Sequence, residues 1–220
     1  MKVKVGTKEK IFNIAQSLFI ERGYNNTSLR DITQKAEVNL AAVNYHFGDK
    51  NSLVQAILDH YLVHLMPEVH EQLVKLNIKA SFSVEEVLTT VKAPLLGLNT
   101  LHPNGMHSFL LLIASGYSDV QGHLRWFIVN HYGKTLALFK QSMVKANPNI
   151  DEESLFWRLH FALGAFVFAT VSSQALNEIA SSQFEQDSDL LNIIEQAIPY
   201  ISAGLETDNT QVNCETQQKD

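Results

Sequence analysis

The chain has 220 residues, a formal net charge of −6 and 45% hydrophobic content, which is enough apolar material for a substantial core and excludes a disordered or fibrous chain. Its charge is uneven: residues 1 to 60 carry 8 Lys and Arg against 6 Asp and Glu, a net +2, and the remainder carries 9 against 17, a net −8. Cations concentrated at the front leave room for a polyanionic partner while the overall acidity argues against indiscriminate binding, and the single Cys214 in a polar tail excludes an internal disulfide and fits a reducing compartment.

The opening MKVKVGTKEK lacks the apolar run of a secretory signal. The longest apolar stretch, Phe161 to Val171, falls short of the roughly 18 residues needed to span a bilayer. The expectations are a cytoplasmic protein without membrane contact and a helix at 161–171 that is buried on most sides.

In chain order, Ile11, Ile14, Ala15, Leu18 and Phe19 recur at the spacing of one helical face, after Thr7 as an N-cap and before Gly23 as a stop. Ser28, with Asp31 three residues on, starts a second helix in the manner of a capping box; Leu29, Ile32 and Ala36 turn inward and the helix ends near Glu37. Asn39 caps a third helix, Leu40 to about His46, and Asp49 caps a fourth from Lys50 to Leu76 with a bend or break at Pro67. Further helical patterns cover 84–98, 106–116, 120–146, 152–181 and 188–205, separated by NIKASFS, NTLHPNG and NPNID, where Gly, Pro, Asn and Ser concentrate. No alternating strand pattern occurs, so the chain is expected to be all-α, ending in a disordered polar tail at 207–220.

Two short helices joined by a tight turn, the second one exposed, form the geometry that lets the second helix enter the major groove. The outward residues of that helix, Asn39, Leu40, Ala41 and Asn44, suit base edges, because Asn pairs bidentately with adenine and Ala meets a thymine methyl. Phosphate-seeking groups surround it: Thr27 and Ser28 at an open helix N-terminus, Tyr45 and His46 at the third helix end, and Lys50 at the start of the fourth.

Residues 8 to 55, with AQSLFIERGYNNTSLRDITQKAEVNLAAVNYHFGDKNSL, resemble the N-terminal DNA-binding domain of the TetR family of repressors. The resemblance implies phosphate contacts for Thr27 and Ser28, a base or phosphate contact for Arg30, backbone contacts for Tyr45 and His46, and a phosphate clamp for Lys50. Glu37 stands where the family has a turn Gly, Asn39 where it has a Ser cap, and Asn44 where it has a Tyr. Farther on, GYSDVQGHLRWFIVNHYGKTLALF and ESLFWRLHFALGAFVFATVSSQALNEIA are similar to the fatty-acid-responsive PsrA-type regulators. That likeness implies a repressor released by a long-chain fatty acid or acyl-CoA.

Residues 106 to 176 hold more aromatic and apolar side chains than an amphipathic stripe requires, and Phe109, Leu112, Trp126, Phe127 and Phe161 are candidates for an apolar pocket, the ordinary reading of each singly being core. Arg158 and His160 interrupt the apolar LFWRLHFALG and are candidates for holding a polar head group, against the alternative of an interhelical bond. Gly164, Ala165 and Ala169 form a small-residue strip suited to close helix packing in a homodimer or within the chain. His60 and His64 lie one turn apart without a third ligand, so no metal is expected. Neither a P-loop, G-x-S-x-G nor H-E-x-x-H is present, and no cofactor or catalytic residue is assigned.

The sequence therefore predicts a helix-turn-helix domain over 1–50 and a ligand-binding, dimerising helical domain over 51–206. Together they would form a transcriptional repressor that binds a palindromic double-stranded operator as a homodimer. Two alternatives stay open: a regulator of an efflux pump sensing aromatic or cationic compounds, and a helical lipid carrier that does not act on DNA.

Overall fold

The computed structural model describes residues 6–102, 104–117, 122–184 and 190–207; Cys214 lies outside them, and of the expected tail only Thr207 lies within them. Every described element is helical: α1 (Thr7–Arg22), α2 (Leu29–Ala36), α3 (Leu40–Phe47), α4 (Lys50–Asn77), α5 (Val84–Gly97), a 3-10 turn (Leu98–Thr100), α6 (Gly105–Tyr117), α7 (His123–Ala146), α8 (Glu152–Val171), α9 (Ser173–Phe184) and α10 (Leu190–Glu206). The chain packs as two compact units, Met1–Met66 with Gly97–Gly133, and Pro67–Leu96 with Lys134–Asp220. The first unit thus adds the front of α4, α6 and the front of α7 to the 1–50 segment.

In the first unit the apolar face of α1 (Ile11, Ala15, Leu18, Phe19) is buried with Ile32 and Ala36 of α2, Val43 of α3, and Leu53, Ile57, Leu58 and Leu62 of α4. Each of the Ile, Leu, Val and Phe side chains among them contributes about 1.5–3 kcal/mol by leaving water. A polar tie runs through this core: Gln16 Nε2 donates to the Tyr61 hydroxyl at 2.6 Å, joining α1 to α4, and Tyr61 also packs on Phe109 of α6. α6 starts hard against the 3-10 turn, because a Cβ on Gly105 would lie 2.0 Å from the Leu98 carbonyl oxygen, so only glycine fits there.

In the second unit the C-terminal end of α4 is held by α7. Asn77 Nδ2 donates to Ser142 Oγ at 2.7 Å, and Lys145 Nζ, 4.8 Å from the centre of the Phe82 ring, donates to the carbonyls of Asn77 and Lys79. A cation on the last carbonyls of a helix satisfies acceptors that have no intrahelical donor.

Three expectations are corrected. α4 runs through Pro67 as one helix, so of the bend or break expected there the break does not occur. The helix expected over 152–181 is two, α8 and α9, divided at Ser172; Thr170 Oγ1 bonds back to Phe166 O at 2.8 Å just before the break, and such back-bonding bends helices. The segment 161–171 was expected to be buried on most sides, yet Leu155 and Thr170 are the buried residues of α8, while Trp157, Phe161 and Phe168 are 51%, 67% and 63% exposed. Trp157, Phe161, Gly164, Ala165 and Phe168 are exposed at helical spacing, and Tyr200, Ala203 and Gly204 are exposed on α10, which packs against α8. By length and composition α8 is also apolar enough to cross a membrane.

Candidate nucleic-acid interface

α2 begins with a complete capping box: Asp31 N–H donates to Ser28 Oγ at 3.1 Å and Ser28 N–H donates to Asp31 Oδ2 at 2.8 Å. The Ser28 side-chain and backbone bonds hold the Asp31 carboxyl below its ordinary range. α3 begins with a second cap, Ala42 N–H to Asn39 Oδ1 at 2.9 Å, so the Asn39 carbonyl oxygen serves the helix and its amide NH₂ is what an outside group meets. α3 ends at Gly48, whose φ of 85° is left-handed and favours glycine. Asp49 Oδ1 then accepts from Ser52 N–H at 2.7 Å, starting α4 and depressing the Asp49 carboxyl.

These caps fix how α3 is presented. Val43 alone of its residues is buried, while Leu40, Ala41, Asn44 and Tyr45 are exposed, Tyr45 at 85%. His46 is half-buried, with its ring edge-to-face on Tyr45 at 5.0 Å between centroids. Arg30 is exposed on α2. Arg30, Ser28, Asn39 and the α3 face thus occupy the exposed parts of one short helix pair.

Two expected contacts are reassigned. Thr27, 1% exposed, donates its hydroxyl to the carbonyls of Leu18 and Gly23, closing the end of α1; a hydroxyl so buried and so used cannot meet a phosphate. Lys50 is half-buried, and its ammonium donates to Tyr24 O at 2.6 Å and lies 3.9 Å from the centre of the Tyr24 ring, tying α4 to the loop after α1 beside a Tyr24–Asn51 hydrogen bond. Its charge is thus engaged within the unit in this structure.

One pair escaped the sequence reading. Lys10 Nζ of α1 lies 3.1 Å from Glu37 Oε2 in the turn between α2 and α3, the side chains 39% and 83% exposed. Glu37 has φ 52° and ψ 44°, left-handed, where a Cβ costs roughly 1–2 kcal/mol. A separation of 27 residues left no local signal of the pairing.

The seven ligand candidates divide between the units. Phe109, Leu112 and Phe127 are buried in the first, where Trp126 is 68% exposed. Arg158, His160 and Phe161 lie on α8 of the second. Arg158 donates to Leu205 O at 3.3 Å and Thr207 O at 2.5 Å, capping α10, and the His160 Nδ1–H donates to Phe156 O at 2.6 Å. Both polar groups bond to backbone carbonyls, so the head-group role expected for them is set aside, and Phe161 stacks on Trp157 in the exposed stripe. His60 and His64 have ring centroids 6.1 Å apart, and among the described residues no group of three potential metal ligands is present.

The family model described as bacterial regulatory proteins, tetR family, matches residues 11–57, and that of the tetracyclin repressor-like C-terminal domain matches residues 90–204. The HTH-type transcriptional repressor Rv3405c of Mycobacterium tuberculosis is 44% identical over 62 residues, 28% of this chain and 33% of its own length. The HTH-type transcriptional regulator TtgR of Pseudomonas putida is 37% identical over 81 residues, 37% of this chain and 34% of its own. These alignments span about a third of the relatives' length. A crystal structure of a HlyIIR mutant protein has the same fold, with a TM-score of 0.58 at 18% identity over 92% of this chain and 98% of that one.

Proposed function

The chain belongs to the tetR family of bacterial regulatory proteins, and from that premise we propose that it is a transcriptional repressor. It would bind a palindromic duplex operator as a homodimer and leave it when a long-chain fatty acid or acyl-CoA binds the helical C-terminal region. The observation that carries the DNA reading is α3: a helix anchored through Val43, capped by Asn39, with Leu40, Ala41, Asn44 and Tyr45 facing water. Short polar and small apolar groups at the front of an exposed second helix are what base edges in the major groove require, with the recognition helices of the two subunits about 34–36 Å or a multiple of it apart.

Dimerisation is supported by the exposed apolar stripe of α8 and its neighbours Tyr200, Ala203 and Gly204 on α10. Two such helices from each subunit make a four-helix interface, with the small residues letting the backbones approach. The acyl ligand rests on the likeness of residues 116–139 and 153–180 to PsrA-type regulators and on the apolar side chains of α6 and α7. Repression and release follow from linkage: ligand that prefers the conformation with misplaced recognition helices lowers DNA affinity by the ratio of its affinities for the two states.

Selection of operator sequences from random duplex DNA, with and without oleate and oleoyl-CoA, tests both parts. Recovery of a palindrome that is released by the acyl compounds is expected. Each buried methylene contributes about 0.8 kcal/mol, so release should strengthen with chain length until the site is full. Release by a planar cation and not by acyl compounds would install the efflux-regulator reading; failure to select any duplex would remove the DNA function.

A further inference from the structure

Glu37 is the place in the helix-turn-helix where residue type and backbone disagree. Among the described residues, the other non-glycine with positive φ is Asn104, and asparagine tolerates that conformation where glutamate does not. The ion pair with Lys10 does not explain the choice, since exposed pairs contribute little to stability and no more than the strain removes. Position supplies another reason. Glu37 follows α2 directly and stands two residues before the Asn39 cap of α3. In this motif the first helix crosses the phosphate backbone and the front of the second reaches the bases. A carboxylate at that junction faces a polyanion, and the cation nearest to it is already neutralised.

We propose that Lys10 is a phosphate-contacting residue of the DNA interface and that Glu37 holds it in check, setting how strongly the domain grips DNA of any sequence. This rests on the DNA-binding reading above. Non-specific affinity is almost wholly electrostatic, and each neutralised phosphate adds about 0.9 to the slope of log affinity against log salt. A carboxylate that occupies one lysine and repels neighbouring phosphates therefore removes about one such contact. Weak non-specific grip matters because a genome offers an immense excess of wrong sites.

The test is fluorescence anisotropy of the full-length protein on a random-sequence duplex between 50 and 200 mM KCl, as order-of-magnitude conditions over which such affinities fall steeply. Glu37→Gln and Glu37→Asn remove the charge, the second with a side chain that suits the left-handed turn, and circular dichroism reports whether each is folded. Both should bind about 3- to 10-fold tighter at the low-salt end with a slope steeper by about one. Lys10→Ala should cost about 2-fold in the native background and about 5-fold or more in Glu37→Gln, cancelling the gain. Unchanged affinity and slope in both folded Glu37 variants, or an equal cost of Lys10→Ala in the two backgrounds, would overturn the proposal while leaving the DNA reading intact. A native protein that binds no duplex at the lowest salt would overturn both.

Discussion

Helices α3 and α8 both leave large apolar side chains in water, Leu40 and Tyr45 on one and Trp157, Phe161 and Phe168 on the other, and their surroundings tell the two exposures apart. Leu40 and Tyr45 lie among Asn39, Asn44 and His46, with Ser28 and Arg30 nearby in the same helix pair, so that face offers donors and acceptors as well as carbon. The α8 stripe offers rings, Gly164 and Ala165. An apolar surface with little hydrogen-bonding capacity gains most from another apolar surface, whereas a mixed one suits base edges and phosphates. Exposed hydrophobic area signals a partner; the polarity beside it indicates which kind.

The most forceful way to break this contrast is Ala165→Glu. A two-fold interface would bury a new carboxylate from each subunit against the apolar stripe. Sedimentation velocity should show monomers at micromolar concentration, and operator affinity should fall by about two orders of magnitude or more, because a half-site alone binds weakly. The monomer should stay folded, since Ala165 is exposed. A dimer that survives the change would take α8 out of the interface.

Thr27→Val sharpens the α3 side. Removing a buried hydroxyl that serves two carbonyls should cost about 1–3 kcal/mol in urea unfolding. Operator affinity per folded molecule should hold. A loss of DNA affinity at unchanged stability would return Thr27 to the contact surface.

Arg158→Ala then probes the ordering of α8 against α10. Loss of a cation from the last carbonyls of α10 should destabilise by about 1 kcal/mol, and less in high salt. Unfolding curves at two ionic strengths would check this; no loss at either would leave the cap without energetic weight.

The smallest effect concerns pH. Burial, followed by the neighbouring His64 and His102, pushes His60 below its ordinary value of 6.5. The folded state therefore keeps His60 neutral while the unfolded chain takes up a proton, so stability present above 6.5 is lost as pH falls from there to the depressed folded value. His60 meets Phe12 edge-to-face at 5.5 Å between centroids. His60→Phe keeps a ring there and should flatten this part of the stability profile; an unaltered slope would show that other groups set it.

The elements of the first 50 residues were legible in the sequence because the signals that make them act over three or four positions. Ser28 meets Asp31, Asn39 meets Ala42, and Asp49 meets Ser52 within one turn, so these three helix starts and the tight turn follow from composition at fixed spacing, whereas the cap expected at Thr7 falls instead on Gly6, which makes no side-chain bond. The outward turn of Ala41 and Tyr45 follows as well, since they lie across the helix from Val43; Leu40 stands only three residues from Val43, and its exposure is a matter of what packs beside it. What tertiary structure decided is where the charged and hydroxyl groups spend their bonds. Thr27 reaches back nine residues to Leu18, Lys50 reaches 26 to Tyr24, and Arg158 reaches 47 to Leu205. No local pattern encodes a partner that only chain reversal brings near, and each of these side chains had seemed available for an outside ligand. The same holds for α8: helical periodicity places Trp157, Phe161, Ala165 and Phe168 on one stripe, but whether that stripe meets its own core or water depends on how many neighbours the rest of the chain can bring against it.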